Sequence, residues 1–312
     1  MPANRRSRIL DGLALILIGI AVAGLLVRLT LKDALPIAST VYYTLPPIVV
    51  AGLLLGAGLS WRANRRPTRF AACCVAALVA AGSWFYLAYR HQPCTTERGE
   101  LRVLFWNAAR GRGSWPGVAD FASSYEADVI GLVEAGNASK RQQTFWRERF
   151  PDYDVYVPGR GLVILTRGRI TDKRYHRLGT VSRCAVVEID LDGRQVRAVV
   201  VDVAAGLFST RESVLNAAFG IAEMQPDIPT IVMGDFNTPI DSVWFRHARE
   251  SFTNTFEAAG AGLLVTWPLP LPVLAIDHIW ISRSFEVGCA RLEWTWISDH
   301  RPVVAELSFA GE

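Results

Sequence analysis

The sequence predicts a chain in two parts: three transmembrane helices, then an α/β domain with a two-sheet core. Three observations carry this. The first ninety residues hold three long apolar stretches, the net charge changes sign after them, and the remainder alternates strand-like and helix-like segments.

Residues 9–27 carry one charge, Asp11 at their edge, while residues 36–61 and 70–89 carry none. Crossing a hydrocarbon core of about 30 Å takes about 20 helical residues, and each stretch is long enough. A cleaved signal peptide accounts only for the first, and no small-residue cleavage site follows it. Pro46 and Pro47 should kink the middle helix, which a bundle tolerates.

The 312 residues are 51% hydrophobic and 20% charged, with mean hydropathy +0.22. Residues 1–96 hold ten basic residues against Asp11 and Asp33, a net +8; residues 97–312 hold 23 basic and 27 acidic residues, a net −4. The overall +4 therefore averages two unlike parts and does not describe a nucleic-acid-binding surface. Composition also excludes a disordered chain and a disulfide scaffold. Seven arginines, at positions 5, 6, 8, 62, 65, 66 and 69, flank the N-terminus and the second connection, whereas the first connection has only Arg28 and Lys32. The positive-inside rule then places the N-terminus in the cytoplasm and, after three crossings, the large domain outside it, in a multi-pass plasma (inner) membrane protein. No ionisable residue lies near mid-membrane, so the spans read as an anchor rather than a channel.

Residues 1–90 are thus the anchor, 91–99 a polar linker with Pro93 and Gly99, and 100–312 the second domain. There, strands are expected over 101–107, 128–134, 161–166, 185–191, 195–203, 230–233, 276–281 and 303–308, with helices over 115–125, 138–150 and 211–224. This mixture fits one α/β domain. Cys73 and Cys74 lie in an apolar run, and Cys94, Cys184 and Cys289 are too dispersed for a zinc ribbon, leaving one disulfide among those three open.

Polar residues gather at strand ends. Asn107 ends the first strand, Glu134 the second, and Asp235 with Asn237 a third; Asp277 and His278 start another, and Asp299 and His300 precede the last. A carboxylate or amide there is held by a rigid sheet yet faces the rim. Singly each is more often a turn former; five in one order are not.

With WN at 106–107, Glu134, GLVILTR at 161–167, GDFN at 234–237, TWP at 266–268, IDHI at 276–279 and SDHRPV at 298–303, the chain resembles the endonuclease/exonuclease/phosphatase superfamily over residues 100–309. Three preceding spans also resemble a recurring bacterial membrane-anchored arrangement. The resemblance implies a four-layer α/β/β/α sandwich that hydrolyses phosphate esters with Mg²⁺ or Mn²⁺. Asn107, Glu134 and Asp299 match the metal ligands, an oxygen-only set suited to a hard cation that keeps waters. Asp235 matches the residue that orients or deprotonates the attacking water, Asn237 one that holds a phosphate oxygen, and His300 a phosphate donor whose tautomer Asp277 fixes. His278 is either a site residue or a side chain pointing along the strand.

Two positions depart from the pattern. The strand ending at Asp202 lacks the His or Tyr found in many members, and Ala109 stands where a second polar ligand is common. An ionised Asp cannot donate a hydrogen bond, so Asp202 is either a metal or water ligand or a turn residue. The leading expectation is a membrane-anchored hydrolase of phosphate esters outside the cytoplasm, its substrate a nucleic acid or a phospholipid. Its expected partners are that substrate and the lipid bilayer, with no obligate protein partner. Asp202 and Ala109 support an alternative, a catalytically silent binding module on the same scaffold. A domain that merely gates or scaffolds is a third reading.

Overall fold

The computed structural model describes residues 5–92, 94, 99–112, 114–136, 139–206 and 210–311. Of these, the residues up to Tyr89, with Gly206 and Thr210, fall in a helical unit, and the others in an α/β unit. Most of the linker expected over 91–99 lies outside the described residues.

In the helical unit, Arg5–Leu29 and Pro67–Ala88 are each long and apolar enough to cross a membrane. The third expected span is a pair, Pro36–Thr44 and Pro47–Ala63, bent by 69° at Leu45 and Pro46. Pro47 has no N–H to continue the ladder, and Pro46 forces the residue before it out of the helical region. The break is therefore sharper than the expected kink, and by length and composition the pair is one broken span or a re-entrant loop. Small residues bring helices together: a Cβ on Gly58 would lie 3.0 Å from Cys73 Cβ.

The α/β unit packs two sheets face to face. The first has eight strands in the order Tyr89–His91, Gly260–Leu263, Phe285–Leu292, Val303–Phe309, Leu101–Asn107, Val129–Val133, Leu162–Thr166 and Asp154–Gly159. The second has six, in the order Phe252–Asn254, Asp277–Ser282, Thr230–Asp235, Arg194–Asp202, Ser182–Leu191 and Arg169–Leu178. Helices Trp115–Ser123 and Lys140–Arg149 cover one outer face and Glu212–Ala222 the other, giving four layers.

Strand parity explains the core. In Leu101–Asn107, Leu101, Val103 and Phe105 join the large cluster between the sheets, while Leu104 and Trp106 pack under the helices. Gly131 occupies an inter-sheet position where a Cβ would strike Met233 and Val200 of the opposite sheet, so its lack of a side chain sets how closely the sheets approach.

All eight expected strands and three expected helices form, with small shifts of their ends. Several strands are additional, notably Asp154–Gly159, Arg169–Leu178 and Phe285–Leu292. Arg169–Leu178 is a sheet edge whose charged side chains face water, so it lacks the apolar signature of a buried strand. Cys94 is bonded to Cys289 with Cα atoms 4.7 Å apart, and Cys184 is free and buried.

Candidate active site

Register places the site. Arg183, Asp202, Asp235 and Asp277 are directly opposite one another on four adjacent strands of the six-stranded sheet. In-register residues share a face, and Asp235 has the parity of Ile231 and Met233 in the inter-sheet core. Three carboxylates and a guanidinium thus line one end of the cleft between the sheets. Asn107 has the inter-sheet parity of Val103 and Phe105, and its Nδ2 donates to Asp235 Oδ2 at 2.9 Å from the opposite sheet. His278, one residue past Asp277, falls on the other face: its Nε2 lies 3.0 Å from the Thr238 carbonyl, among Phe236, Phe245 and Trp280. Burial drives its pKa down to about 4, so it is a neutral core residue outside the site.

His300 enters from the loop before the last strand. Its Nδ1 is 2.9 Å and 3.1 Å from the two oxygens of Asp277, and both side chains are buried. Trp106 Nε1 donates to the His300 carbonyl at 3.1 Å. Ser298 Oγ accepts from the His300 N–H at 3.0 Å and donates to the Asn107 carbonyl at 2.7 Å. Asp235, Asp277 and His300 present ligand-type atoms within 4.8 Å of one another. Burial and the charge of Asp277 raise the Asp235 pKa to about 8, against the pull of His300. For His300 burial opposes the charged form, but Asp277, with Asp235 and Asp299, outweighs it and raises the pKa to about 9. The protonation of Asp235 and that of His300 are therefore linked.

The Asn237 backbone N–H donates to Asp235 Oδ1 at 2.9 Å, at a φ of +46° that an asparagine tolerates. Its Nδ2 also donates to the Val203 carbonyl at 2.7 Å, and an amide nitrogen carries a second N–H.

Glu134 and Asp299 differ from the trio in exposure. The Glu134 side chain is 34% exposed and Asp299 20%; Arg110 Nε lies 3.3 Å from Glu134 Oε2 and Arg112 Nη2 3.3 Å from Asp299 Oδ2. Glu134 has φ +48°, and its carbonyl accepts from the Arg110 N–H at 3.0 Å. Gly161 packs against it, where a Cβ would meet the Glu134 Cα at 3.1 Å, which explains the glycine opening GLVILTR. Glu134 and Asp299 keep solvent-facing carboxylates while His300 is engaged by Asp277 and Asp235 by two donors. Together with the Asn107 amide oxygen, which accepts only the Ala109 N–H, they are the oxygen donors chemically suited to a hydrated hard cation.

Four contributors have no role assigned from the sequence, although Thr266, Trp267 and Arg301 lie in its TWP and SDHRPV motifs. Thr266 Oγ1 accepts from the Ile276 and Asp277 N–H groups at 3.1 and 3.3 Å, fixing the start of the Asp277 strand. Trp267 Nε1 donates to Asp299 Oδ2 at 3.4 Å. Arg301 is buried, donating to the Leu263, Val265 and Leu292 carbonyls, and desolvation pulls its pKa down to about 10. The fourth is Arg183, whose Nε and Nη2 both hold Asp202 Oδ2, the former at 2.7 Å. Asp202 is thus an ion-pair partner, and burial raises its pKa against the effect of Arg183. A signal existed: the Asp192–Gly193 turn, at φ +52° and +88°, pairs Leu191 with Arg194, and counting back along both strands brings Arg183 opposite Asp202.

The chain covers all of the mannosyl-6-phosphatase of Bacteroides thetaiotaomicron with 67% of its own length, at 18% identity and TM-score 0.56. It covers 98% of D. rerio TDP2 complexed with a single-strand DNA product (66% of this chain, 12% identity, TM-score 0.54) and 98% of the human Nocturnin catalytic domain with bound sulfate (70%, 19%, 0.54). These likenesses show the fold. No curated protein sequence matches the chain. The Endonuclease/Exonuclease/phosphatase family profile matches residues 104–300, well over half of the sequence, and the chain belongs to that family.

Proposed function

We propose that the chain is a membrane-anchored, divalent-metal-dependent hydrolase of phosphate esters that acts outside the cytoplasm. The observation that carries this is the Asp235–Asp277–His300 cluster, set by strand register and flanked by the open carboxylates of Glu134 and Asp299. Phosphate-ester hydrolysis needs an oriented water, neutralised phosphate charge and a stabilised leaving oxygen. Asp235 is held on both oxygens by Asn107 and the Asn237 N–H, so it can orient the attacking water, and its raised pKa suits it to receive a proton. Asp277 engages His300 Nδ1, leaving Nε2 to donate to a phosphate oxygen. The second N–H of the Asn237 amide is placed for another. Glu134, Asp299 and the Asn107 oxygen would hold Mg²⁺ or Mn²⁺, which supplies charge neutralisation at the phosphate when bound. Arg183, steadied by Asp202, contributes a cation where many members carry a His or Tyr. It bears on the Asp202 departure that supported a silent binding module, while the Ala109 departure stands.

The same topology reading puts the domain in an oxidising compartment, and the Cys94–Cys289 bond favours it because such bonds persist outside the cytoplasm. The test of activity is a metal-dependence screen of the purified chain against DNA, RNA, phospholipid and a generic phosphodiester. Hydrolysis abolished by chelation and restored by Mg²⁺ or Mn²⁺ is expected; no turnover of any phosphate ester would return the silent module. A reporter active only outside the cytoplasm, fused after residue 312, tests orientation, and activity of a cytoplasmic reporter alone would overturn it.

A further inference from the structure

The α/β unit shows few large exposed apolar side chains among its described residues: Val181, Met224, Leu271, Trp294 and Trp296. Three of the five sit on two loops, and Leu271 and Trp296 are 78% and 84% exposed. The two loops are joined at the candidate site. Leu269 N–H donates to the Asp299 carbonyl at 2.8 Å, Arg301 N–H to the Thr266 carbonyl at 2.9 Å, and Trp267 Nε1 to the Asp299 carboxylate. Residues 261–276 carry no charge at all, although their tip is open to water. A third loop brings positive charge to the same carboxylate, since Arg112, 64% exposed, pairs with Asp299.

Exposed Trp and Leu beside guanidinium groups match the chemistry of a bilayer's headgroup region, where amphipathic indole rings settle and anionic headgroups attract Arg. The chain supplies such a surface itself. The last apolar helix, Pro67–Ala88, is followed directly in the chain by Tyr89–His91, the edge strand of the eight-stranded sheet. A domain so tethered is never far from lipid.

We propose that the loops bearing Leu271 and Trp296 dock into the lipid surface, so that the site beside Asp299 opens onto the headgroups and the phosphate ester hydrolysed is one carried by a membrane lipid. The docking stands on these loops alone, while the lipid substrate rests on the hydrolase reading above. Leu271 and Trp296 lie outside the site: neither side chain hydrogen-bonds to or stacks on Asp235, Asp277 or His300.

The test uses the full chain, one copy per nanodisc of phosphatidylcholine and phosphatidylglycerol, with and without brominated phosphatidylcholine. The fluorescence difference between wild type and Trp296→Ser isolates one of the ten tryptophans. That component is expected to lose at least half its intensity to the brominated lipid. A component equally bright in both discs overturns the docking, as does one shielded only when two chains share a disc, which would make the patch a self-association surface. Leu271→Ser/Trp296→Ser should lower hydrolysis of phospholipid in the same disc at least tenfold and leave hydrolysis of water-soluble bis(p-nitrophenyl) phosphate within twofold of wild type. Equal loss on both substrates, or none on lipid, overturns the lipid-substrate assignment. Quenching without hydrolysis of either ester would support the docking and overturn the hydrolase reading instead.

Discussion

The core and the rim of the candidate site are built differently. At the core, Asp235 and Asp277, locked by register across the sheet, and His300, from the loop before the last strand, are buried and hydrogen-bonded to one another or to Asn107 and Asn237. At the rim, Glu134 and Asp299 are partly open to water, and each has an exposed arginine as its ion-pair partner. The first kind of environment shifts protonation, because buried charges interact strongly and water does not screen them. The second leaves the carboxylates open to exchange, since an exposed ion pair is worth about 0–1 kcal/mol and a divalent cation can displace it. On the function proposed above, proton handling falls to the first set of side chains and cation holding to the second.

The largest expected effect falls on the core. Asp235→Asn keeps the size and one of the two acceptor oxygens but removes the proton acceptor, and should lower kcat by about 10²–10⁴-fold, measured under saturating Mg²⁺. Retained activity would take Asp235 out of the chemistry.

A pH test follows from the same burial. The His300 pKa is raised from 6.5 to about 9, so the stability it contributes is complete below 6.5 and is lost as pH rises through 9. The raised pKa of Asp235 acts in the same direction, since ionising it in the fold costs more than in the unfolded chain as pH climbs from its ordinary 3.8 toward about 8. With chelator present, thermal melting followed by near-ultraviolet circular dichroism should show the domain losing on the order of a few kcal/mol by pH 9. Asp277→Asn should flatten the upper part of that decline; an unchanged profile would show that the trio is not coupled.

At the rim, Glu134→Gln keeps size and removes charge. Changing even an outer partner of a metal ligand costs about 10–100-fold in affinity, so the metal requirement should rise by at least that, with an unchanged melting temperature. Full activity at unchanged Mg²⁺ dependence would place the cation elsewhere. The smallest effect is expected at the edge of the row, where Arg183→Lys should reduce kcat about tenfold, about 1.4 kcal/mol of barrier, because an ammonium does not reproduce the two-nitrogen grip on Asp202. An indifferent variant would make the pair purely structural.

Much of this was legible in the sequence for a physical reason. Buried strands such as Val129–Val133 and Thr230–Asp235 are short apolar runs, and the polar residue at the end of each stands out against them. The edge strand Arg169–Leu178 was hidden because one sheet edge faces water and its charges read as a solvated face. Asp202 was found but its partner was not, since an ion pair across a hairpin needs the register that the Asp192–Gly193 turn sets. The sequence alone leaves His278 open because parity decides it, and parity needs the strand's first residue.

The division between core and rim is tested most directly by Mn²⁺ binding, measured by electron paramagnetic resonance on the purified chain and on Glu134→Gln and His300→Ala. The account predicts that Glu134→Gln loses the bound Mn²⁺ signal at concentrations that saturate wild type, while His300→Ala binds as wild type does. Loss of binding in His300→Ala with retention in Glu134→Gln would put the cation among Asp235, Asp277 and His300 and contradict it.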